Sequence, residues 1–312
     1  MAPRISSSVV SILVLFLTIQ SVTIHSRSLG STKPSLTSFH SLEGALKGQT
    51  KDGIKEVKRY LKAFGYLDYE DDDNNAALMD DKFDGTLESA LKSYQKFYHL
   101  KITRKLDADT VKLMSAPRCR VPDSVHPWHA GRNATKHGKS HIVTDYAFPS
   151  GMPRWPPSQT HLSYAFGPII GEASPSDVSE ACRRAFQSWS SVSPFTFEQV
   201  PLEDSPNIVI GFYQGDHGDG YPFDGPYNIL AHAFPPTNGS LHFDADEHWS
   251  TSPSSYQVDL ESVAVHEIGH LLGLAHSADQ NAVMFAILEE GSMKRDLRQD
   301  DINGIHALYP AQ

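Results

Sequence analysis

Apolar residues in the first half of the chain recur with the spacing of a helix face. One stripe runs from Val57 to Phe64 at positions i, i+3, i+4 and i+7, and a second runs from Leu87 to Tyr98. Asp107 precedes a third, shorter apolar stretch and is a favourable helix N-cap. The pattern predicts a small bundle of three helices, a kind of module that more often binds or covers something than catalyses.

The pattern changes twice beyond this bundle. Prolines interrupt residues 116–158, which indicates a linker or a processed segment. From Thr160 onward the chain alternates between strand-like and helix-like stretches, so the second half is predicted to be α+β. Strands are expected at 161–166, 195–197, 207–212, 231–234 and 241–243, and helices from near Ser176, at 258–272 and at 300–308.

The N-terminal segment has the pattern of a secretory signal. Arg4 is followed by an apolar run over 9–19 and then by small polar residues, so 1–28 is predicted to be a signal peptide. An uncleaved anchor is the alternative, although a membrane span needs about 20 apolar residues. No apolar tail follows Tyr309, so no GPI anchor is expected and the protein is predicted to be extracellular. Asn133 and Asn238 begin possible N-glycosylation sequons.

Composition narrows the function classes. The 312 residues carry 37 Asp+Glu and 27 Lys+Arg, and a net charge of −10 argues against a nucleic-acid partner. Two cysteines are too few for a disulfide-dense scaffold, while 39% apolar residues suffice for a packed core. The 16 histidines are unusually many for this length, about one residue in twenty. Their positions therefore carry the functional argument.

The run from His266 to His276 predicts a catalytic zinc site. On a helix, His266 and His270 lie one turn apart and face the same way, so both imidazoles can reach one Zn²⁺. Gly273 can leave the helix with a positive φ, which lets His276 return as a third ligand. Three ligands leave one position for water, and Glu267 is predicted to act on that water as general base and later as proton donor. This combination is typical of peptide-bond hydrolysis.

The motif H-E-x-x-H-x-x-G-x-x-H resembles the signature of metzincin peptidases. Residues 282–285 are similar to the Met-turn of that clan, which implies that Met284 lies beneath the zinc. Residues 117–123, PRCRVPD, resemble the cysteine switch of matrixins, and the similarity covers the chain from about residue 50 to the end. The resemblance is to the short plant type without a haemopexin-like domain. It implies a metzincin-type α+β catalytic domain, a twisted mixed sheet plus three helices, preceded by a small three-helix propeptide.

Cys119 has two interpretations. In the matrixin pattern its thiolate is a fourth zinc ligand in the zymogen, which inhibits the enzyme, and Arg118 pairs with Asp123 to shape the loop. The alternative is a disulfide with Cys182, although Cys182 falls on the apolar stripe of a helix. The family has glycine where this chain has Arg120, which leaves open whether a long side chain beside the thiol weakens latency.

A second histidine cluster lies upstream of the motif. It resembles the structural zinc site of matrixins, and three imidazoles with one carboxylate suit a closed tetrahedral site. The interleaved carboxylates suit Ca²⁺, which the resemblance also implies; a polar surface loop is the alternative for both sets. Asn207 and Gly239 carry only a weak signal for another calcium site. The resemblance implies His217, Asp219, His232 and His242 as zinc ligands, and as calcium ligands the side chains of Asp224, Asp244 and Glu247 with the backbones of Gly225, Tyr227 and Ile229.

The sequence therefore predicts a secreted zinc endopeptidase made as a latent zymogen. Its parts are a signal peptide at 1–28, a propeptide at 29–123, an activation linker at 124–145 and a catalytic domain at 146–312. Its partners would be a peptide or protein substrate bound extended along the cleft, and its own propeptide as inhibitor; a monomer is expected. The rival class is a secreted binding module that keeps metals for folding. The resemblance also implies that the mature chain begins at Tyr146, whose ammonium group would pair with Asp300 or Asp301.

Overall fold

The computed structural model describes residues 39–67, 79–123 and 144–310. They fall within one compact unit, Pro34–Gln312. The predicted signal peptide, most of the predicted linker and Asn133 lie outside the described residues. None of the described helices combines the length and apolar character that crossing a membrane requires.

The N-terminal bundle contains three helices, and a side-chain N-cap begins two of them. Helix α2 begins after Asp84, whose carboxylate accepts the N–H of Leu87, and α3 begins after Asp107, whose carboxylate accepts the N–H of Thr110. The predicted N-cap at Asp107 is therefore present. The bounds are α1 Ile54–Ala63, α2 Gly85–Phe97 and α3 Ala108–Met114, with a 3₁₀ turn at Phe39–Leu42.

The core of this bundle continues into the second half of the chain. The predicted stripes are buried, and the same apolar cluster includes Phe223, Ile229, Phe285 and Ile287. The ring of Tyr98 packs edge-on against Phe285, with 5.5 Å between the ring centroids. The bundle therefore packs against the second half through a buried apolar surface.

A mixed sheet forms the centre of the second half. Its strand order is β1-β5-β6-β4-β2-β3, and only β5 and β6 pair antiparallel. One of the two edge strands, β1, comes from the segment that contains Cys119 and was not predicted, because two residues show no alternation. The bounds are β1 Arg118–Cys119, β2 His161–Phe166, β3 Thr196–Gln199, β4 Ile208–Tyr213, β5 Ile229–Ala233 and β6 Ser240–Asp244; β7 Trp249–Ser250 and β8 Val258–Asp259 form a separate pair.

Three helices accompany this sheet, as predicted. Helix α4 begins two residues earlier than expected because Ser174 is the N-cap and Pro175 takes the first helical position, where a missing N–H is harmless. Trp189 of α4 donates its indole N–H to the carbonyl of Val265 at 2.7 Å, which ties α4 to the next helix. The bounds are α4 Pro175–Ser190, α5 Leu260–Leu271 and α6 Gln299–Leu308.

Candidate metal centre

Helix α5 and the turn after it bring three histidines together. His266 and His270 lie one turn apart, and their Nε2 atoms are 3.1 Å from each other. Gly273 ends the helix with a φ of 100°, and a Cβ there would lie 2.3 Å from the carbonyl oxygen of Pro153. Only glycine fits this turn, which returns the chain so that the His276 ring lies 4.8 Å from the His270 ring.

The outer nitrogens of the three rings have fixed acceptors. His266 Nδ1 lies 2.7 Å from the carbonyl of Val283, and His270 Nδ1 lies 2.8 Å from the carbonyl of Leu274. The third ring directs Nδ1 at the Asp123 carboxylate, at 2.7 Å. Because each Nδ1 donates outward, each Nε2 presents its lone pair inward, which is the form that binds a metal.

Burial keeps these imidazoles neutral. It lowers the pKa of His266 well below its ordinary value and lowers the pKa of His270 to about 3, and it also lowers the pKa of His276. The Nε2 atom of His276 is buried and has no hydrogen-bond partner among the described residues. Neutral, converging imidazoles with an orphaned nitrogen fit a zinc ion.

Cys119 completes this group. Its Sγ lies 3.5 Å from His270 Nε2, and the ligand atoms of Cys119 and the three histidines all lie within 4.8 Å of one another. Both Cys119 and Cys182 are free and buried, so the alternative of a disulfide between them is wrong. Burial raises the pKa of the Cys119 thiol well above its ordinary value.

Glu267 lies beside this group, next to the Cys119 thiol. Its side chain is fully buried, and its carboxylate interacts with that thiol. Burial raises its pKa to about 8. Burying an ionisable carboxylate destabilises the fold, so the position of Glu267 indicates a functional role rather than a structural one.

The turn that contains Met284 packs against α5. A Cβ at Gly269 would lie 2.2 Å from Met284 Sδ, so the glycine allows the sulfur to approach α5 closely. The Asp301 carboxylate accepts the N–H groups of Val283 and Met284, both at 2.9 Å. Asp301 is therefore engaged in holding the turn, and Tyr146 instead donates its backbone N–H to Asp300 Oδ1 at 3.1 Å.

The second predicted zinc set also converges. His232 and His242 face each other on the antiparallel strands β5 and β6. Asp219 Oδ2 lies 2.9, 2.7 and 2.9 Å from the nearest nitrogens of His217, His232 and His242. Burial lowers the pKa of His232 to about 4, so this ring is neutral at physiological pH. This group and the one around His266 are the two clusters with metal-ligand spacing among the described residues.

The predicted calcium carboxylates are buried and incompletely paired. One oxygen of each of Asp224, Asp244 and Glu247 has no hydrogen-bond partner in the described part of the chain. Burial raises their pKa values to about 6, 7 and 9, and the charge of the neighbouring carboxylates adds to the effect for Asp244 and Glu247. The backbone around them is bent sharply: Gly225 has a φ of 87° and Tyr227 a φ of 71°. Ile229 donates its N–H to Asp224 Oδ1 at 3.3 Å.

The other candidate residues, Asn207, Gly239 and Asn238, make local backbone contacts. Asn207 uses its side-chain oxygen to accept the N–H of Ser163 at 3.0 Å, and its carbonyl lies directly against Gly239. Asn238 is exposed at the tight turn before β6 and accepts the N–H of Ser240 through its side chain. The contact between Asp123 and the third histidine ring was not predicted, because no local pattern links residues 153 positions apart.

A histidine triad on and beyond a helix, with a buried glutamate at the edge of a mixed sheet, defines a metallopeptidase. The Matrixin family model matches residues 154–310, and a peptidoglycan-binding domain model matches residues 50–114. The chain belongs to the matrixin family and is a metalloendopeptidase.

Curated relatives agree with this assignment. Metalloendoproteinase 1 of Glycine max is 43% identical over 287 residues, covering 90% of this chain and 87% of that protein. Metalloendoproteinase 1-MMP of Arabidopsis thaliana is 44% identical, covering 87% of this chain and 72% of that protein. Interstitial collagenase of Sus scrofa is 37% identical, covering 88% of this chain but 53% of the collagenase.

Proposed function

We propose that this matrixin is a secreted zinc endopeptidase, made as a latent zymogen, that hydrolyses peptide bonds of extracellular proteins. His266, His270 and His276 would hold the catalytic zinc. When bound, the metal supplies Lewis-acid polarisation of the scissile carbonyl and of a water molecule. The observation that carries the proposal is the fully buried carboxylate of Glu267 beside three histidines whose Nε2 atoms converge.

Glu267 would move the protons of the reaction. Once the Cys119 thiol has left, the Glu267 carboxylate would accept a proton from the attacking water and deliver it to the leaving amine.

The substrate would bind as an extended strand along β5. Without β1, β5 is the edge of the remaining sheet, and an extended peptide can pair with such an edge. The segment around Cys119 occupies this position, since Arg120 donates its N–H to the carbonyl of Ala231 at 2.9 Å. The propeptide, residues 29–123, would therefore inhibit both by its thiol and by occupying the cleft.

The remaining predictions extend the proposal. His217, Asp219, His232 and His242 would hold a structural zinc, supported by the convergence of their ligand atoms. Asp224, Asp244 and Glu247, with the backbones of Gly225, Tyr227 and Ile229, would hold Ca²⁺, supported by their orphaned oxygens. Residues 1–28 would direct secretion, the linker 124–145 would be cut to release a catalytic domain starting at Tyr146, and Asn238 would be open to glycosylation.

Casein or gelatin zymography of wild type beside Glu267→Gln tests the enzymatic role. After activation, Glu267→Gln should retain its zinc content and lose about 10²- to 10⁴-fold in peptide hydrolysis, the usual range for removing a general base. Glu203→Gln, an exposed glutamate in a 3₁₀ turn, is the matched control and should keep full activity. Equal hydrolysis by wild type and Glu267→Gln would contradict the proposal, as would no hydrolysis by activated wild type.

A further inference from the structure

The three histidines differ in where their outer hydrogen-bond partners come from. The first two donate Nδ1–H to backbone carbonyls of the half of the chain that contains them. His276 instead directs Nδ1 at Oδ1 of Asp123, at 2.7 Å, and both side chains are completely buried. Asp123 belongs to the proposed propeptide. One of the three metal-facing rings is therefore oriented by a residue that maturation would remove.

Asp123 is held rigidly for this contact. Its Oδ1 also accepts from Arg118 Nη2 at 2.8 Å, and its Oδ2 accepts the hydroxyl groups of Tyr66 at 2.6 Å and Tyr98 at 2.9 Å. Its backbone N–H donates to the carbonyl of Phe64 at 3.1 Å. A carboxylate with both oxygens fixed cannot rotate away from the histidine it faces.

Such a contact acts on a metal ligand in a defined way. A carboxylate that accepts Nδ1–H selects the tautomer whose Nε2 lone pair is free, fixes the ring orientation and raises the basicity of Nε2. The Nε2 atom of His276 is the buried nitrogen without a partner, so it is the atom that would gain. Carbonyl acceptors do the same for the other two rings but carry no full charge.

We propose that Asp123 is a positioning residue for the third zinc ligand. The propeptide then strengthens metal retention through His276 as well as through the thiol of Cys119, and its removal leaves a more exchangeable zinc. This inference rests on the proposed zinc-peptidase function. It concerns the orientation of His276 and is separate from the role of Asp123 as the ion-pair partner of Arg118.

Zinc affinity of the full chain tests this separately from activity. Cys119→Ser serves as the background, because it removes the thiol ligand and leaves Asp123 in place. In that background, Asp123→Asn should weaken zinc binding by roughly 10- to 100-fold, measured by competition with a chromophoric chelator. Tyr98→Phe is the matched control: it removes a hydrogen bond to Oδ2 but leaves the Oδ1 contact, and should leave the zinc affinity within about twofold of the background.

Two further measurements test the contact between Asp123 and His276. Nitrogen-15 NMR of histidine side chains should show a downfield, slowly exchanging Nδ1–H that shifts in Asp123→Asn but not in Tyr98→Phe. If Asp123→Asn does not fold, the Cys119→Ser chain is compared before and after proteolytic removal of its N-terminal part, and zinc should exchange faster afterwards.

Different results would contradict the role of Asp123 and the proposed zinc-peptidase function. Unchanged affinity in Asp123→Asn, equal weakening in Tyr98→Phe, or unchanged exchange after removal of the N-terminal part would overturn the role of Asp123 while wild-type hydrolysis stands. A wild-type chain that binds no zinc would overturn the proposed function itself.

Discussion

Arg120 follows Cys119 and contacts both the N-terminal bundle and the second half of the chain. Its guanidinium carbon lies 5.9 Å from the ring centroid of Tyr221 and 5.8 Å from that of Phe64, on opposite partners of the interface. Burial lowers its pKa, and the charge of Asp224 opposes that effect. The side chain thus connects the bundle with the loop before β5.

Replacing Arg120 should make the Cys119 thiol more accessible. We expect Arg120→Gly to raise the rate at which Cys119 reacts with a thiol reagent by about 2- to 30-fold, because a partly desolvated cation–π contact contributes about 0.5–2 kcal/mol. Arg120→Lys keeps the cation and should show a smaller increase. The measurement is the alkylation rate of the uncut chain. A slower reaction in Arg120→Gly would mean that the arginine strains the loop.

Residue patterns predicted the convergence of the three histidines because its geometry is local. The spacing of His266, His270 and Gly273 follows from helix periodicity and from the freedom of glycine, so sequence alone indicated a shared face and a turn. The matrixin resemblance also implied the pairing of Arg118 with Asp123, which is present at 2.8 Å. The contacts of Asp123 with His276 and of Arg120 with Tyr221 could not be predicted, because they join segments distant in the chain.

The two-residue strand β1 occupies the edge of β5. Backbone hydrogen bonds hold β1 on both sides: Arg118 N–H donates to the carbonyl of Asn228 at 2.5 Å, and Cys119 N–H donates to that of Ala286 at 3.0 Å. Leu288 donates its N–H to the carbonyl of Pro117 at 3.1 Å, so the segment lies between β5 and the chain after the Met-turn. Strand prediction missed it because two residues make no periodic pattern, although the motif around Cys119 marked the segment as functional.

This placement predicts that losing the thiol alone does not release full activity. In the uncut Cys119→Ser chain, β1 still occupies the edge of β5, so peptide hydrolysis should stay well below that of the same chain after proteolytic removal of the N-terminal part. Cys182→Ser alters the other buried cysteine and should remain fully latent until cut. Uncut Cys119→Ser hydrolysing peptide at the rate of the cut chain would show that the thiol is the whole barrier.

The acidic cluster of Asp224, Asp244 and Glu247 joins the loop before β5 to the segment around β6. A cation bound there would therefore connect distant parts of the chain. With zinc maintained, adding calcium should raise the melting temperature of the chain, since a ligand at 100 times its Kd stabilises the folded state by about 2.7 kcal/mol. Asp244→Asn removes one buried acceptor charge and should abolish most of the increase, whereas Asp204→Asn, exposed in a 3₁₀ turn, should keep it. An unchanged calcium response in Asp244→Asn would reject this cluster as the site.

Charge is distributed unevenly along the whole chain. Residues 146–312 carry 21 Asp+Glu and six Lys+Arg, a net of −15, and residues 1–145 carry 16 and 21, a net of +5, which together give −10. The buried surface between the two parts is nevertheless apolar around Phe285 and Ile287. Electrostatic attraction should therefore act between the outer surfaces, where salt screens it, and apolar packing should act at the centre, where salt does not.

The balance between these contributions can be measured after cleavage in the linker. If the charge asymmetry matters, raising the salt from about 0.05 M to about 0.5 M should speed the departure of the N-terminal part, because the screening length falls below the separation of surface charges. Size-exclusion chromatography at each salt concentration reports the fraction still bound. Slower departure at high salt would mean that apolar burial around Tyr98 and Phe285 dominates the association. Salts such as sodium sulfate strengthen apolar burial, so they would then strengthen the association rather than weaken it.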